Sequence, residues 1–296
     1  MRGMALFGIL AALGALVGWG VGDFLIQRLT RRIGNFRTML YGGSFGFLVL
    51  TPFAWSHLPD AFGAWQDTVL LIGISSVVFF NAFFNFEALR KGKIAVIAPV
   101  LALELPLTAL LAVALIGERL TPGQVVAILA VVVGFFFVVR QKSADGSWRK
   151  PSFERGVAYA IIGVFGLAFY NFTIGISSRA TEPVLTAWVI GGTVAILSFI
   201  TLLVRREVSA KSLIQPLRKY PGLILAESVC VVGAGLCFAY ATTLIPISVA
   251  TGVSEGYVVL SVMLGLLINR EKLRRSQLFG VGIVVLGILG LAWMTA

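Results

Sequence analysis

The stretch Ile94–Ile116 reads IAVIAPVLALELPLTALLAVALI. A helix rises about 1.5 Å per residue and the hydrocarbon core of a bilayer is about 30 Å thick, so a run this long and this apolar is a membrane span. Its single ionisable residue is Glu104, placed near the midplane. Pro99 and Pro106 flank it. Each proline lacks a backbone N–H and removes a helical hydrogen bond, which predicts a kink beside the acid. Freed carbonyls next to a carboxylate suit an ammonium group. A charged side chain in hydrocarbon is costly, which makes Glu104 the leading functional candidate. A structural hydrogen bond to a neighbouring helix is the alternative.

Nine more runs of this kind surround it, at 5–27, 36–55, 67–88, 123–140, 156–177, 183–204, 221–243, 247–268 and 276–294. Of the 296 residues, 58% are hydrophobic and 12% charged, and mean hydropathy is +0.95. Soluble domains carry about 25% charged residues, so a water-soluble enzyme, a disordered chain and a collagen-like fibre are excluded. The expected fold is an all-α integral membrane protein of ten transmembrane helices. Little chain remains for anything else. The longest gaps, 141–155 and 205–220, are polar and basic and read as linkers. The first run is too long for a signal-peptide core and is kept as a span. Cys230 and Cys237 read as small apolar residues, too far apart along one helix for a disulfide.

The net charge of +11 comes from 24 Lys+Arg against 13 Asp+Glu. The odd-numbered loops hold 21 of those cations, and the even-numbered loops with both tails hold 3. Cytoplasmic loops carry the Lys/Arg excess, so both termini are expected outside, with the basic loops inside. The charge belongs to orientation in a plasma (inner) membrane, and no nucleic-acid partner is implied.

A shift of 153 residues aligns Glu118-Arg119-Leu120, Gln124 and Gly134 with Glu271-Lys272-Leu273, Gln277 and Gly287. A looser shift of 148 sets Asp23-Phe24 against Asn171-Phe172. Five spans per half force the second half to enter the membrane the other way round, and the loop charges alternate accordingly. The expected organisation is two inverted five-helix repeats around a central cavity, at 1–143 and 154–296, joined by a cytoplasmic linker at 144–153.

Three elements resemble the ten-helix EamA type of the drug/metabolite transporter superfamily. They are Gly18-Trp19-Gly20, Leu103-Glu104-Leu105-Pro106, and Gly117-Glu118-Arg119-Leu120-Thr121 followed by Gln124. In the second repeat Arg270 replaces the expected glycine, and Tyr257-Val258-Val259 replaces the Glu-x-Pro element. The resemblance implies export or uptake of small organic metabolites.

The spans hold four internal carboxylates, Asp23, Glu104, Glu227 and Glu255, and no Lys or Arg at comparable depth. Such acids must be protonated, bridged, or paired with a positive ligand. Glu255 shares a helix face with Ser248 and Thr251, while Gly252 and Gly256 permit local unwinding. Asp23 lies near Arg28 and has an ion pair as its alternative. Glu227 lies near Arg218 and Lys219 and reads as an interfacial ion pair. Asn81 and Asn85 share one face and either bind substrate or join helices. Trp19 and Tyr257 are candidate cavity aromatics for cation–π contact. Gly14, Gly18 and Gly22, with Gly42 and Gly46, form small-residue ridges for close helix packing. Trp55, Trp65 and Trp293 read as interfacial belt residues.

The sites proposed for substrate or proton are therefore Glu104, Glu255, Asp23, Asn81, Asn85, Trp19 and Tyr257. No metal or other cofactor is expected. The one histidine, His57, lies in a loop, so a catalytic constellation and an enzyme are not expected. No G-x-x-x-x-G-K-[ST] loop is present to support ATP-driven pumping. The function read from the sequence is secondary active transport of a cationic or zwitterionic metabolite, such as an amino acid or amine, in the export direction, with protons as the candidate coupling ion. Its partners are the lipid bilayer and a small-molecule substrate, with monomer and homodimer both left open. The competing reading is a lipid-handling or channel-like membrane subunit acting with a partner.

Overall fold

The structure, a computed structural model, describes residues 2–58, 65–117, 119–139, 155–180 and 182–295. The linker expected at 144–153 and the motif residue Glu118 lie outside the described residues, as does the side chain of Trp65.

The described residues are helical, with no strand among them. The helices of the first half are α1 (Arg2–Ile33), α2 (Asn35–Ala54), α3 (Trp65–Lys91), α4 (Ile94–Leu101), α5 (Glu104–Ile116) and α6 (Pro122–Val139). Those of the second are α7 (Arg155–Ala180), α8 (Pro183–Val204), α9 (Ala210–Lys219), α10 (Pro221–Leu244), α11 (Ile247–Ser254), α12 (Tyr257–Leu267) and α13 (Arg275–Thr295). Among the described residues, seven segments are long and apolar enough to cross a membrane. Two of them, Ile94–Ile116 and Ile247–Leu267, consist of two short helices in tandem.

One segment departs from expectation. The linker read at 205–220 contains α9, a helix started by a capping box in which Ser209 and Ser212 exchange side-chain and backbone hydrogen bonds. None of its residues is buried, and Ile214 and Leu217 are exposed beside Lys211, Arg218 and Lys219. Its apolar residues, at helical spacing, were too few to stand out from a polar basic stretch.

The packing pairs exchange between the halves. α1 lies along α10 and α3 along α7, while α2 pairs with α8 and α6 with α13. Glycines set the closeness. Gly14 and Gly18 face Cys237 and Ala234 on α10, so the α1 ridge packs as expected. A Cβ added at Gly134 of α6 would lie 2.8 Å from the carbonyl oxygen of Gly280 on α13. The repeat-matched Gly287 faces the Ala127 carbonyl in the same way, at 2.9 Å. The caps also match. Gln124 accepts from the Thr121 N–H at 2.8 Å, and Gln277 from the Arg274 N–H at 3.0 Å.

The exterior is apolar. Phe7, Leu48, Phe53, Phe80, Leu286 and Trp293 are exposed, while Glu104, Asn171, Glu227 and Glu255 are buried. This reverses the order of a soluble protein and suits a bilayer as solvent. Every residue of α4 is buried, so the chain interruption that follows it is shielded from lipid.

Candidate functional site

Both tandem segments break at the same repeat position. α4 and α11 start 153 residues apart, at Ile94 and Ile247, and α5 and α12 start 153 apart, at Glu104 and Tyr257. The causes differ. In the first, the ring of Pro106 would clash with the carbonyl of Ala102 in a continuous helix. That carbonyl instead accepts from Leu105 N–H at 3.1 Å, and Leu103 N–H turns back to Val100 O at 3.2 Å. The second break contains no proline. Gly256 N–H bonds Val253 O at 3.3 Å, and Val258 N–H bonds Glu255 O at 3.0 Å. The break at Pro106 and the unwinding at Gly256 follow the sequence expectation, while Pro99 and Gly252 lie within α4 and α11.

The breaks bring the acids together. Glu104 opens α5 and Glu255 follows the last residue of α11, and their carboxyl groups are in hydrogen-bonding contact. Two carboxyls make such a contact only by sharing a proton. Asn171 on α7 donates to Glu104 Oε1 at 2.9 Å. Apart from that shared proton, Glu104 Oε2 and both Glu255 oxygens have no donor among the described residues. Asp23 on α1 is the third acid of the group, close enough to Glu255 to interact with it through space. The Ser261 hydroxyl reaches Asp23 and the Gly20 carbonyl, the latter at 3.3 Å. Arg28 does not pair with Asp23, since its guanidinium sits over the Phe24 ring at 4.2 Å.

A cavity of about 220 Å³ lies beside this group. Trp19, Asp23, Asn81, Asn85, Glu104 and Tyr257 line it, six of the seven residues expected from sequence. Glu255 is fully buried behind them and reaches the cavity through Glu104. Trp19 and Tyr257 stand edge to face, with centroids 6.2 Å apart at 74°. The two asparagines join helices and also face the cavity. Asn85 donates to Asn81 Oδ1 at 2.8 Å, both line the cavity, and both oxygens press on the glycine face of α7 at Gly163 and Gly166.

Glu227 overturns its sequence reading. The ion pairs of the described residues are Arg37–Glu207, Arg90–Glu87 and Lys91–Glu87, and Glu227 is in none of them. It is buried, accepts from the Ser228 hydroxyl at 3.3 Å, and lines the cavity opposite Gly42 of α2. Nearness to Arg218 and Lys219 in sequence misled, because those residues sit on α9 and Glu227 lies two turns deep in α10. Tyr170 and Asn171 were also missed. The signal for Asn171 was its alignment with Asp23 in the looser repeat shift.

Gly252-Val253-Ser254-Glu255-Gly256 spells the G-x-S-x-G pattern of hydrolase nucleophile elbows. Here it forms the end of α11, Ser254 is buried, and its hydroxyl donates to the Thr251 carbonyl at 3.0 Å. The chain's one histidine, His57, lies in the short 3-10 turn Trp55–His57 that follows α2.

At the end of the bundle that carries the basic loops, α1, α4 and the segment after α12 are tied together. Glu271 accepts from the free N–H groups of Ile94 and Ala95 at 3.1 and 2.9 Å, capping α4 from the other repeat. Asn269 donates to Gln27 at 2.8 Å, and Gln27 donates to the Gly92 carbonyl at 3.0 Å.

No curated protein matches the sequence. A solved structure described as "Crystal structure of protein" aligns over 97% of each chain with a TM-score of 0.70 at 17% identity, and so shares the fold. The model of the EamA-like transporter family matches twice, over residues 6–140 and 154–293. With both repeats matched over nearly their whole length, the chain belongs to the EamA-like transporter family.

Proposed function

We propose that this chain is a secondary active transporter that moves a small cationic or zwitterionic metabolite, such as an amino acid or amine, across the plasma (inner) membrane, as an exporter coupled to protons. The observation that carries the reading is the buried group of Asp23, Glu104 and Glu255 at two helix breaks, with Trp19 and Tyr257 beside it and no Lys or Arg lining the cavity. Such a group holds a proton or an ammonium group, and the two compete for the same oxygens. The start of α5 and the end of α11 meet at the carboxyls, an arrangement that discontinuous helices provide in transporters built from inverted repeats.

Ten spans accommodate the fold when α4 with α5, and α11 with α12, each count as one crossing and α9 lies outside the count. The shorter apolar helices Pro122–Val138 and Arg275–Gly290 then complete the halves together with α2. Five crossings per half invert the second repeat, in keeping with the exchanged packing pairs and the repeat-matched glycine contacts. The Lys/Arg distribution supports both termini outside. Alternating access is rocking of one repeat against the other around the carboxyl group, with the Glu271 cap and the Asn269–Gln27–Gly92 chain breaking when the basic end opens.

The test is flux into proteoliposomes of the purified chain, challenged with amino acids, polyamines, quaternary amines and neutral metabolites, with and without a pH gradient. Current or exchange for one cationic or zwitterionic class, lost in Glu104→Gln, is the expected result. Transport of neutral solutes alone, or unchanged transport by the variant, would overturn the reading.

A further inference from the structure

A second cavity, of about 550 Å³, opens at the basic end of the bundle. It neighbours the first along α2 and α3, since Asn35–Arg37 and Glu87 line one while Thr38, Met39 and Leu89 line the other. Five arginines line it, Arg31, Arg32, Arg37, Arg90 and Arg205, against two acids. Both acids are spent. Glu207 pairs with Arg37 at 3.2 Å, and Glu87 pairs with Arg90 at 3.3 Å and Lys91 at 2.5 Å. Arg32 and Arg205 remain without a carboxylate among the described residues, and Arg31 has Glu271 only at through-space range. Arg31 spends donors on the Arg90 and Gly92 carbonyls, at 3.0 and 2.7 Å, which leaves its charge in place. Arg32 is held over the Tyr220 ring at 5.0 Å and Arg205 over the Phe36 ring at 4.7 Å, so aromatic faces fix both groups and leave their N–H edges free.

Three further features aim at a ligand. α2 begins here at Gly34, with no side chain capping its first N–H groups. The Nε of Arg37 is fully buried and has no acceptor. The Oδ1 of Asn35, a residue only 4% exposed, has no donor.

We propose that this cavity binds one small oxyanion, a phosphate or carboxylate group, gripped by Arg32 of the first repeat and Arg205 of the second. Guanidinium forks and uncapped helical N–H groups supply donors to its oxygens, and inorganic phosphate alone adds an acid hydrogen for Asn35 Oδ1. The same chemistry is offered by soluble phosphate or by the head group of an anionic phospholipid. The bound anion ties the two repeats together at this end.

The test is calorimetric titration of the purified full chain with inorganic phosphate at low salt, in nanodiscs of phosphatidylcholine or of phosphatidylglycerol. Saturable one-to-one binding in phosphatidylcholine is expected, weakened by about tenfold or more in R32Q/R205Q and unchanged in R28Q, whose side chain lies elsewhere on α1. R32K/R205K keeps the charges that orient the chain but loses the forks, and it is expected to fall between. Binding lost in phosphatidylglycerol assigns the site to a lipid phosphate, and binding in both nanodiscs assigns it to a soluble anion. Absence of saturable binding in phosphatidylcholine, or equal binding by R32Q/R205Q, would overturn the proposal.

Discussion

The two helix breaks occupy equivalent places in the repeats and are built from different parts. In the first, Pro106 dictates the interruption, and the acid that opens the next helix has a fixed donor in Asn171. In the second, glycines merely allow the interruption, and the acid beside it has no donor besides the proton shared with Glu104. At the position matched to Glu104 stands Tyr257. Fold symmetry has thus been kept while chemistry has been divided. One break holds its carboxyl in place, and the other leaves its carboxyl dependent on a shared proton or on cargo.

That division can be broken at four points. The largest effect is expected for Glu255→Gln, which replaces the unpartnered acid with an amide able to donate to Glu104. Transport is expected to fall about 100-fold while thermal stability rises, because a buried carboxyl whose one contact needs a shared proton is replaced by a neutral donor. Paired flux and unfolding measurements check both signs, and a destabilised but active variant would contradict the assignment. Next is Gly134→Ala, whose Cβ would meet backbone atoms of α13 at 2.8 Å. Backbone cannot swing aside, so a loss of about 2 kcal/mol is expected in unfolding of the detergent-solubilised protein. Third, Pro106→Ala restores the regular helical donor of the Ala102 carbonyl, which now accepts from Leu105, and straightens the first break. It should raise stability and slow transport roughly tenfold by moving Glu104. Smallest is Gly256→Ala in the second break. Its Cβ would meet chiefly the end of the Leu16 side chain, which can turn away. Stability within about 1 kcal/mol of the parent is expected. A larger loss would show that the glycine, and not the surrounding packing, holds that break open.

Much of this was legible from composition and spacing. Apolar runs of span length gave the helices, Pro106 the first break, and the 153-residue shift the matched caps at Gln124 and Gln277. The cavity residues on α1, α3 and α5 followed from the rule that polar groups in hydrocarbon have a reason to be there. What escaped depended on neighbours distant in sequence. Glu227 looked interfacial until Gly42 was found across from it, and Arg32 and Arg205 looked like ordinary loop cations until Tyr220 and Phe36 were found beneath them. α9 escaped because ten residues with three apolar positions resemble a linker. The role of Glu271 as a cap on the opposite repeat also needed the fold, since 176 residues separate it from Ala95.

The central claim is that proton and cargo compete at the carboxyls of the two breaks. The most direct test is cargo exchange in proteoliposomes under an imposed pH gradient, comparing the parent chain with Glu104→Gln and Glu255→Gln. The account predicts that the gradient accelerates exchange by the parent and leaves any residual exchange by both variants unaffected. Equal acceleration of the parent and the two variants would place the proton elsewhere and contradict it.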